Sequence, residues 1–246
     1  AERVMTVLAN EFVEKGVEIV IYSFQQELDQ PAYLLDKAIS ILPLPDKRKI
    51  ASSMNVDYLS NDLIKNEISI LLNHDTISDS MLLCKKVKEK TGIPLITLHH
   101  GQIYLPYSSL FSIVCIKQGF NIRKALFPLY YLYVLVRECL HHKKNIRICD
   151  AYVVLSSSFQ RQLGSSSKIQ AIGNPLSYSS FFDMSQYDKK ENVVVMVGRI
   201  SEFHKRFSLA LKIWQKIETN PAFSSWNFEI VGDGSDLAIV KKMISE

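Results

Sequence analysis

Arg199 and Lys205 stand six residues apart, just after Gly198, in the stretch VVVMVGRISEFHKRF from Val193 to Phe207. A glycine lets backbone approach a ligand closely, and two cations can each make charge-assisted hydrogen bonds to an anion. The helical period that follows, Phe207, Ala210, Leu211, Trp214 and Ile217, adds a helix start with unpaired N–H groups and a partial positive charge. Together these parts can hold a phosphate or a diphosphate. An ordinary strand-to-helix turn with solvated cations has the same pattern, so the stretch alone leaves both readings open. Two further groups could do chemistry. His99 and His100 follow the apolar run Leu95 to Leu98, and Gly232, Asp233 and Gly234 follow Asn227 to Val231. Successive strand residues point to opposite faces, so only one of the two histidines is expected to face a ligand. The glycines also suit a tight strand-to-helix turn that needs positive φ.

These groups need elements to place them. Val193 to Val197 is apolar throughout and predicts a buried parallel strand. Upstream, Ala1 to Lys15 reads as a helix with Ala1, Val4, Leu8 and Phe12 on one face and Gly16 as its stop. Strands are expected at 18–23, 39–42, 68–73, 95–98, 150–156 and 169–172. Helices are expected at 47–66 and 78–91, the latter capped by Ser78 or Asp79 and stopped by Gly92. A strand Asn227 to Val231 and a helix Ser235 to Ser245 close the chain. Alternation of this kind predicts doubly wound parallel sheets, whose ligands gather at the carboxyl ends of the strands. The polar stretch 177–192 reads as a linker, with Tyr178, Phe181 and Phe182 as anchors.

With 47% hydrophobic and 22% charged residues over 246 positions, the chain can build real cores for one large or two modest domains. The net charge of +4 is uneven: Lys117 to Arg147 holds seven Lys/Arg against one Glu. The remainder is slightly acidic, which argues against a general nucleic-acid binder and for one basic surface. Cys84, Cys115, Cys139 and Cys149 lack paired spacing and read as reduced thiols of a cytosolic protein. Residues 121–147 combine the apolar run ALFPLYYLYVLV with flanking basic residues. A helix on an anionic membrane surface and a core helix with a basic end both fit; the run is too short to span a bilayer. There is no D-x-D pair, no GxxxxGK[ST] loop and no G-x-S-x-G turn, which disfavours metal-dependent GT-A transfer, P-loop phosphoryl transfer and the nucleophile-elbow hydrolases.

Three blocks in order resemble one family. They are AERVMTVLANEFVEKGVEIVIYS at the start; TLHHG with DAYVVLSSSFQRQL and IQAIGNPL in the middle; and VGRISEFHKRFSLALKIWQKI with its later GDG turn. The chain resembles the family 4 retaining glycosyltransferases of GT-B fold. The resemblance implies an α/β protein with two Rossmann-like doubly wound domains, the second incomplete: an acceptor-binding domain at 1–176, a linker at 177–192 and part of a nucleotide-sugar-binding domain at 193–246. It implies transfer of a hexose from a nucleoside diphosphate sugar to an acceptor hydroxyl with retention, in bacterial cell-surface polysaccharide or glycolipid synthesis. Gly198, Arg199 and Lys205 would bind the donor diphosphate, Gly232, Asp233 and Gly234 the nucleotide, and His100 the sugar and acceptor as a catalytic residue. No metal and no cofactor beyond the sugar nucleotide is implied. The acceptor would be a saccharide or lipid-linked, met in the cytoplasm or at the inner face of the membrane, with no nucleic-acid partner. In the family a strand and a pair of glycines precede the AERV helix, and a pair of glutamates eight apart lies beyond the part matched here, so a fragment is expected. The alternative is a non-catalytic remnant that binds nucleotide sugar or another protein.

Overall fold

Every strand pairing among the described residues is parallel, so each connection must cross over, and helices make most of the crossings. The structure, a computed structural model, describes residues 2–24, 31–116, 122, 126–176, 178 and 181–245. Of 112, 113, 115, 116, 203 and 204 it gives the backbone only. The chain divides into two units, Ala1–Ser179 and Ser180–Glu246.

The first unit runs α1 (Glu2–Glu14), β1 (Val20–Ser23), β2 (Ser40–Pro43), α2 (Ser53–Lys65), β3 (Leu71–Asn73), α3 (Ser78–Thr91) and β4 (Leu95–His99). It continues with α4 (Tyr107–Ile116), α5 (Phe127–Ile148), β5 (Ala151–Val154), α6 (Ser157–Leu163) and β6 (Ile169–Ala171). β3, β4, β5 and β6 form one sheet in that order, and β1 and β2 a separate pair. A cavity of about 410 Å³ is lined by both β1 and β3 and by the helices around them, including Met5, Phe12, Ile21, Leu63 and Leu71. The chain steps outward from β1 to β2 and then returns to the other side of this cavity at β3. That reversal of winding is the point where doubly wound sheets place ligands.

Two cores hold this unit. Leu59, Leu63, Leu83 and Val87 pack α2 against α3, while Leu95, Tyr152, Val154 and Ile169 fill the space beside the larger sheet. Asp150 ties them at the amino end of β4: its carboxylate accepts from Lys88 Nζ at 2.6 Å and from the Leu95 N–H at 2.8 Å. α2 starts six residues later than its pattern predicts. The buried Asn55 amide donates to the carbonyls of Asp46, Lys49 and Ile50, which holds that stretch as a loop until Ser52 caps the helix. α3 has the predicted bounds, and Gly92 ends it at φ 73°. Its N-cap is Ile77, not Ser78 or Asp79; Asp75 accepts the Ile77 N–H and so takes over the task.

α5 departs from one of the two expectations for its segment, that of a core helix. Pro128 sits in the first turn, as its missing N–H requires, but only Phe127, Val134, His142 and Asn145 are buried. The opposite face is open to solvent. Arg123 and Lys124, the basic residues expected before the helix, lie outside the described residues. Cys84, Cys139 and Cys149 are free thiols, and burial pushes Cys84 up to about 12; the side chain of Cys115 is outside the described part.

The second unit contains β7 (Val193–Val197), α7 (Glu202–Lys205), α8 (Phe207–Glu218), β8 (Asn227–Val231) and α9 (Leu237–Ser245). β7 and β8 pair residue for residue from Val193↔Asn227 to Val197↔Val231. The expectation that β7 is buried fails: Val194, Val195 and Val197 are exposed, Val197 by 71%. The reason is coverage. Ile200, Phe207, Leu211, Leu237 and Val240 pack on Met196 and Ile230, covering one face of a two-stranded sheet. Tyr178, Phe181 and Phe182 are likewise exposed and are not buried anchors, and a short 3₁₀ helix, Met184–Lys189, lies in the expected linker.

The turns after β7 and β8 lie backbone to backbone. Gly198 N–H donates to Val231 O at 3.0 Å and Ile200 N–H to Asp233 O at 2.8 Å. A Cβ at Gly232, where φ is 154°, would overlap the Gly198 carbonyl oxygen, and one at Gly234 the Ile200 carbonyl. Gly234→Ala should therefore destabilise this unit by about 1–3 kcal/mol in urea denaturation. Gly173→Ala, where an added Cβ meets nothing within 4 Å, should change stability by less than about 0.5 kcal/mol.

Candidate functional site

The carboxyl ends of β3 and β4 collect five of the six histidines of the chain with their partners. Hydrogen bonds fix most of their tautomers. His142 Nε2 faces the Ile103 carbonyl at 2.9 Å, so it carries the proton, and Nδ1 accepts from the Tyr152 hydroxyl at 3.0 Å. His99 donates from Nε2 to the Gln102 carbonyl at 3.1 Å and accepts at Nδ1 from Thr76 Oγ1 at 3.2 Å. His141 donates from Nε2 to the Thr76 carbonyl at 2.8 Å. These three rings fasten α5 and the loop after β3 to the sheet.

His100 differs. Its Nε2 lies 3.2 Å from His74 Nδ1, with the two rings stacked at 5.3 Å. Its Nδ1 is buried and has no hydrogen-bond partner among the described residues. Burial lowers the pKa of both rings, His74 to about 4. Near neutral pH the pair shares one proton between Nε2 and Nδ1. Whichever ring holds it, His100 Nδ1 is left as an unmet donor or an unmet acceptor. A hydroxyl can satisfy either. Asn73, His74 and Asp75 also line the cavity beside β1 and β3.

In the second unit, Gly198, Arg199 and Lys205 lie at the carboxyl end of β7. Arg199 and Lys205 are exposed, and among the described residues neither is in an ion pair. The Lys205 side chain runs alongside Gly198, its Cε 3.6 Å from where a Cβ would sit there. The expected plain loop contains one turn of helix, α7, and Arg206 at φ 51° separates it from α8. Two carboxylates shape this turn. Asp236 accepts the Glu202 N–H at 2.7 Å, and Glu202 accepts from the Ser208 N–H at 2.9 Å and from its hydroxyl. Gly232 and Gly234 support the turn by close approach, and Asp233 Oδ1 accepts the Gly234 N–H at 2.7 Å. Sequence reading missed His74, Glu202 and Asp236. His74 follows a predicted strand directly, which was the available signal; the two acids sit at ordinary loop positions and carry none. Among the described residues no three His, Cys, Asp or Glu side chains are placed to hold a metal ion.

The family model described as Glycosyltransferase Family 4 matches residues 1–177. The chain belongs to that family. Two solved structures show the same fold at low identity. The lipopolysaccharide outer core galactosyltransferase WaaB, in apo form, is 19% identical with a TM-score of 0.62 over 99% of this chain and 60% of its own. HepE of Anabaena, in complex with UDP and glucose, is 13% identical with a TM-score of 0.55 over 99% of this chain and 61% of its own. The chain thus spans about three fifths of the length of these two proteins. Both are GT-B glycosyltransferases, and the parallel α/β units described here have that fold. No curated protein matches the sequence.

The buried histidines make stability pH-dependent. Burial holds His74 and His142 at about 4, below the ordinary 6.5. Between these values the unfolded chain binds more protons than the folded one, so stability is full above about pH 6.5 and is lost as pH falls toward 4. Thermal melting followed across this window should show that decline. His142→Gln keeps a donor and an acceptor without a titrating ring and should make the decline shallower, with His74 keeping its share.

Proposed function

We propose that this chain is the acceptor-binding unit and part of the donor-binding unit of a hexosyltransferase. It moves a hexose from a nucleoside diphosphate sugar to a hydroxyl of a saccharide or lipid-linked acceptor, with retention. The reaction needs no metal ion. It serves cell-surface polysaccharide or glycolipid synthesis at the cytoplasmic face of a membrane. The observation that carries the reading is the turn Gly198 to Lys205: two exposed cations without ion-pair partners among the described residues, at the carboxyl end of a parallel strand, on backbone braced by Gly232 and Gly234. Membership of the family supports it.

The difficult step is departure of the diphosphate, because negative charge grows on the leaving oxygen. Cations fixed beside that oxygen stabilise the transition state more than mobile cations in water would. Arg199 and Lys205 take this role, with Gly198 giving the phosphates access to backbone. Gly232 and Gly234 hold that turn in shape, and Asp233 contacts the nucleotide. His100 faces the transferred sugar and acceptor.

A charge-assisted hydrogen bond contributes about 1.5–3 kcal/mol, and about 1.4 kcal/mol is tenfold in affinity. Lys205→Ala should weaken nucleoside diphosphate binding by about ten- to a hundredfold in calorimetry, with UDP the first to try because HepE holds it. Transfer should fall further, since the charge increases in the transition state. Lys212→Ala, an exposed cation on α8, should leave binding unchanged. Equal losses for the two variants would mean a diffuse basic patch and would remove the assignment.

A further inference from the structure

The exposed face of α5 changes character along its length. Leu129, Leu132, Tyr133, Val136 and Leu140 recur every three or four residues, so they share one face, and each is at least 50% exposed. Phe127, Val134, His142 and Asn145 are buried on the other. The same spacing carried onward from Leu140 brings Lys143, Lys144 and Arg147 onto the exposed face, with Arg137 at its margin; all four are exposed. Among the described residues none of the four is in an ion pair. The one acidic side chain of the helix, Glu138, is engaged elsewhere, accepting the Leu105 N–H at 3.1 Å. The apolar part covers about 17 Å of helix axis at about 1.5 Å per residue, and the basic part lies beyond it.

We propose that this face of α5 docks on an anionic lipid surface, its apolar end in the boundary between headgroups and acyl chains and its basic end on the headgroups. The charge decides between occupants. A dry interface with another folded domain leaves four unpaired cations to be desolvated, whereas an anionic leaflet meets them with negative charge and leaves them hydrated. No described helix is long and apolar enough to cross a membrane, so α5 lies on the surface. The inference deepens the reading above and rests on it for placing the acceptor at a membrane, but its test needs neither donor nor acceptor.

The whole chain is floated with vesicles of phosphatidylcholine alone or mixed with phosphatidylglycerol. Recovery with the mixed vesicles, little with the neutral ones and less at raised salt is expected. Each Lys or Arg near an anionic leaflet contributes about fivefold to partitioning, so Lys143→Glu combined with Lys144→Glu should lower it by at least about tenfold. Leu132→Gln with Val136→Gln should lower it too without changing thermal melting, because both side chains are exposed. Equal recovery from both vesicle types, none from the mixed ones, or variants that float like the parent would overturn the proposal. So would self-association in sedimentation that Leu132→Gln abolishes, since the face would then belong to a second copy. Nucleoside diphosphate binding on the same variants separates the two readings: lost flotation with binding retained places the fault, or the credit, on α5 alone.

Discussion

Parallel pairing is the constraint from which both units follow. A parallel strand cannot be joined to its neighbour by a tight hairpin, so the chain must cross the sheet each time, and helices do most of that work. Crossing in one sense puts every strand's carboxyl end on the same edge of its sheet. The turns that leave those ends are then neighbours although they are far apart in sequence. His74 and His100 meet in this way across 26 residues, and Gly198 meets Gly232 by the same rule. The chemistry of the chain is thus placed by strand direction before any side chain is chosen.

Within that edge the polar groups divide into the satisfied and the unsatisfied. His99, His141 and His142 each give a proton to a backbone carbonyl, and the burial that lowers the pKa of His99 and His142 keeps those rings neutral enough to do so. They are fasteners. His100 Nδ1 is the exception, buried and unmet. A buried polar atom without a partner costs free energy, and folded proteins keep few of them. The second unit shows the same division. Asp236 and Glu202 spend their oxygens on shaping the turn, while Arg199 and Lys205 spend their charges on nothing in the described chain.

Alternation of apolar runs with helical periods was enough to read most of the element order, the parallel class and the strand ends at His99 and Gly198, but not α4 or the single turn α7. α3 was legible to the residue because a glycine at positive φ closes it. Coverage was not legible. An apolar run such as Val193 to Val197 shows that a strand can be buried on both faces, not that anything lies there to bury it, and the same holds for the leucines of α5. The start of α2 was missed because one buried amide, Asn55, outbids helix formation over the residues before it, and no period records that. His74 was visible as a residue after a strand, but its pairing with His100 depends on which strands are neighbours.

The gap between β1 and β3 has a consequence for the behaviour of the chain in concentrated solution. Among the described residues β1 pairs with β2 and β3 with β4, and the wall between β1 and β3 is apolar. Free N–H and C=O groups along a strand edge are a template for another strand, and proteins commonly guard such edges with lysine or proline. The sequences facing the gap, VIYS in β1 and LLN in β3, contain no lysine and no proline. An apolar groove between strands of this kind invites strand addition from a neighbouring molecule, and whatever closes that groove also removes the seed for aggregation.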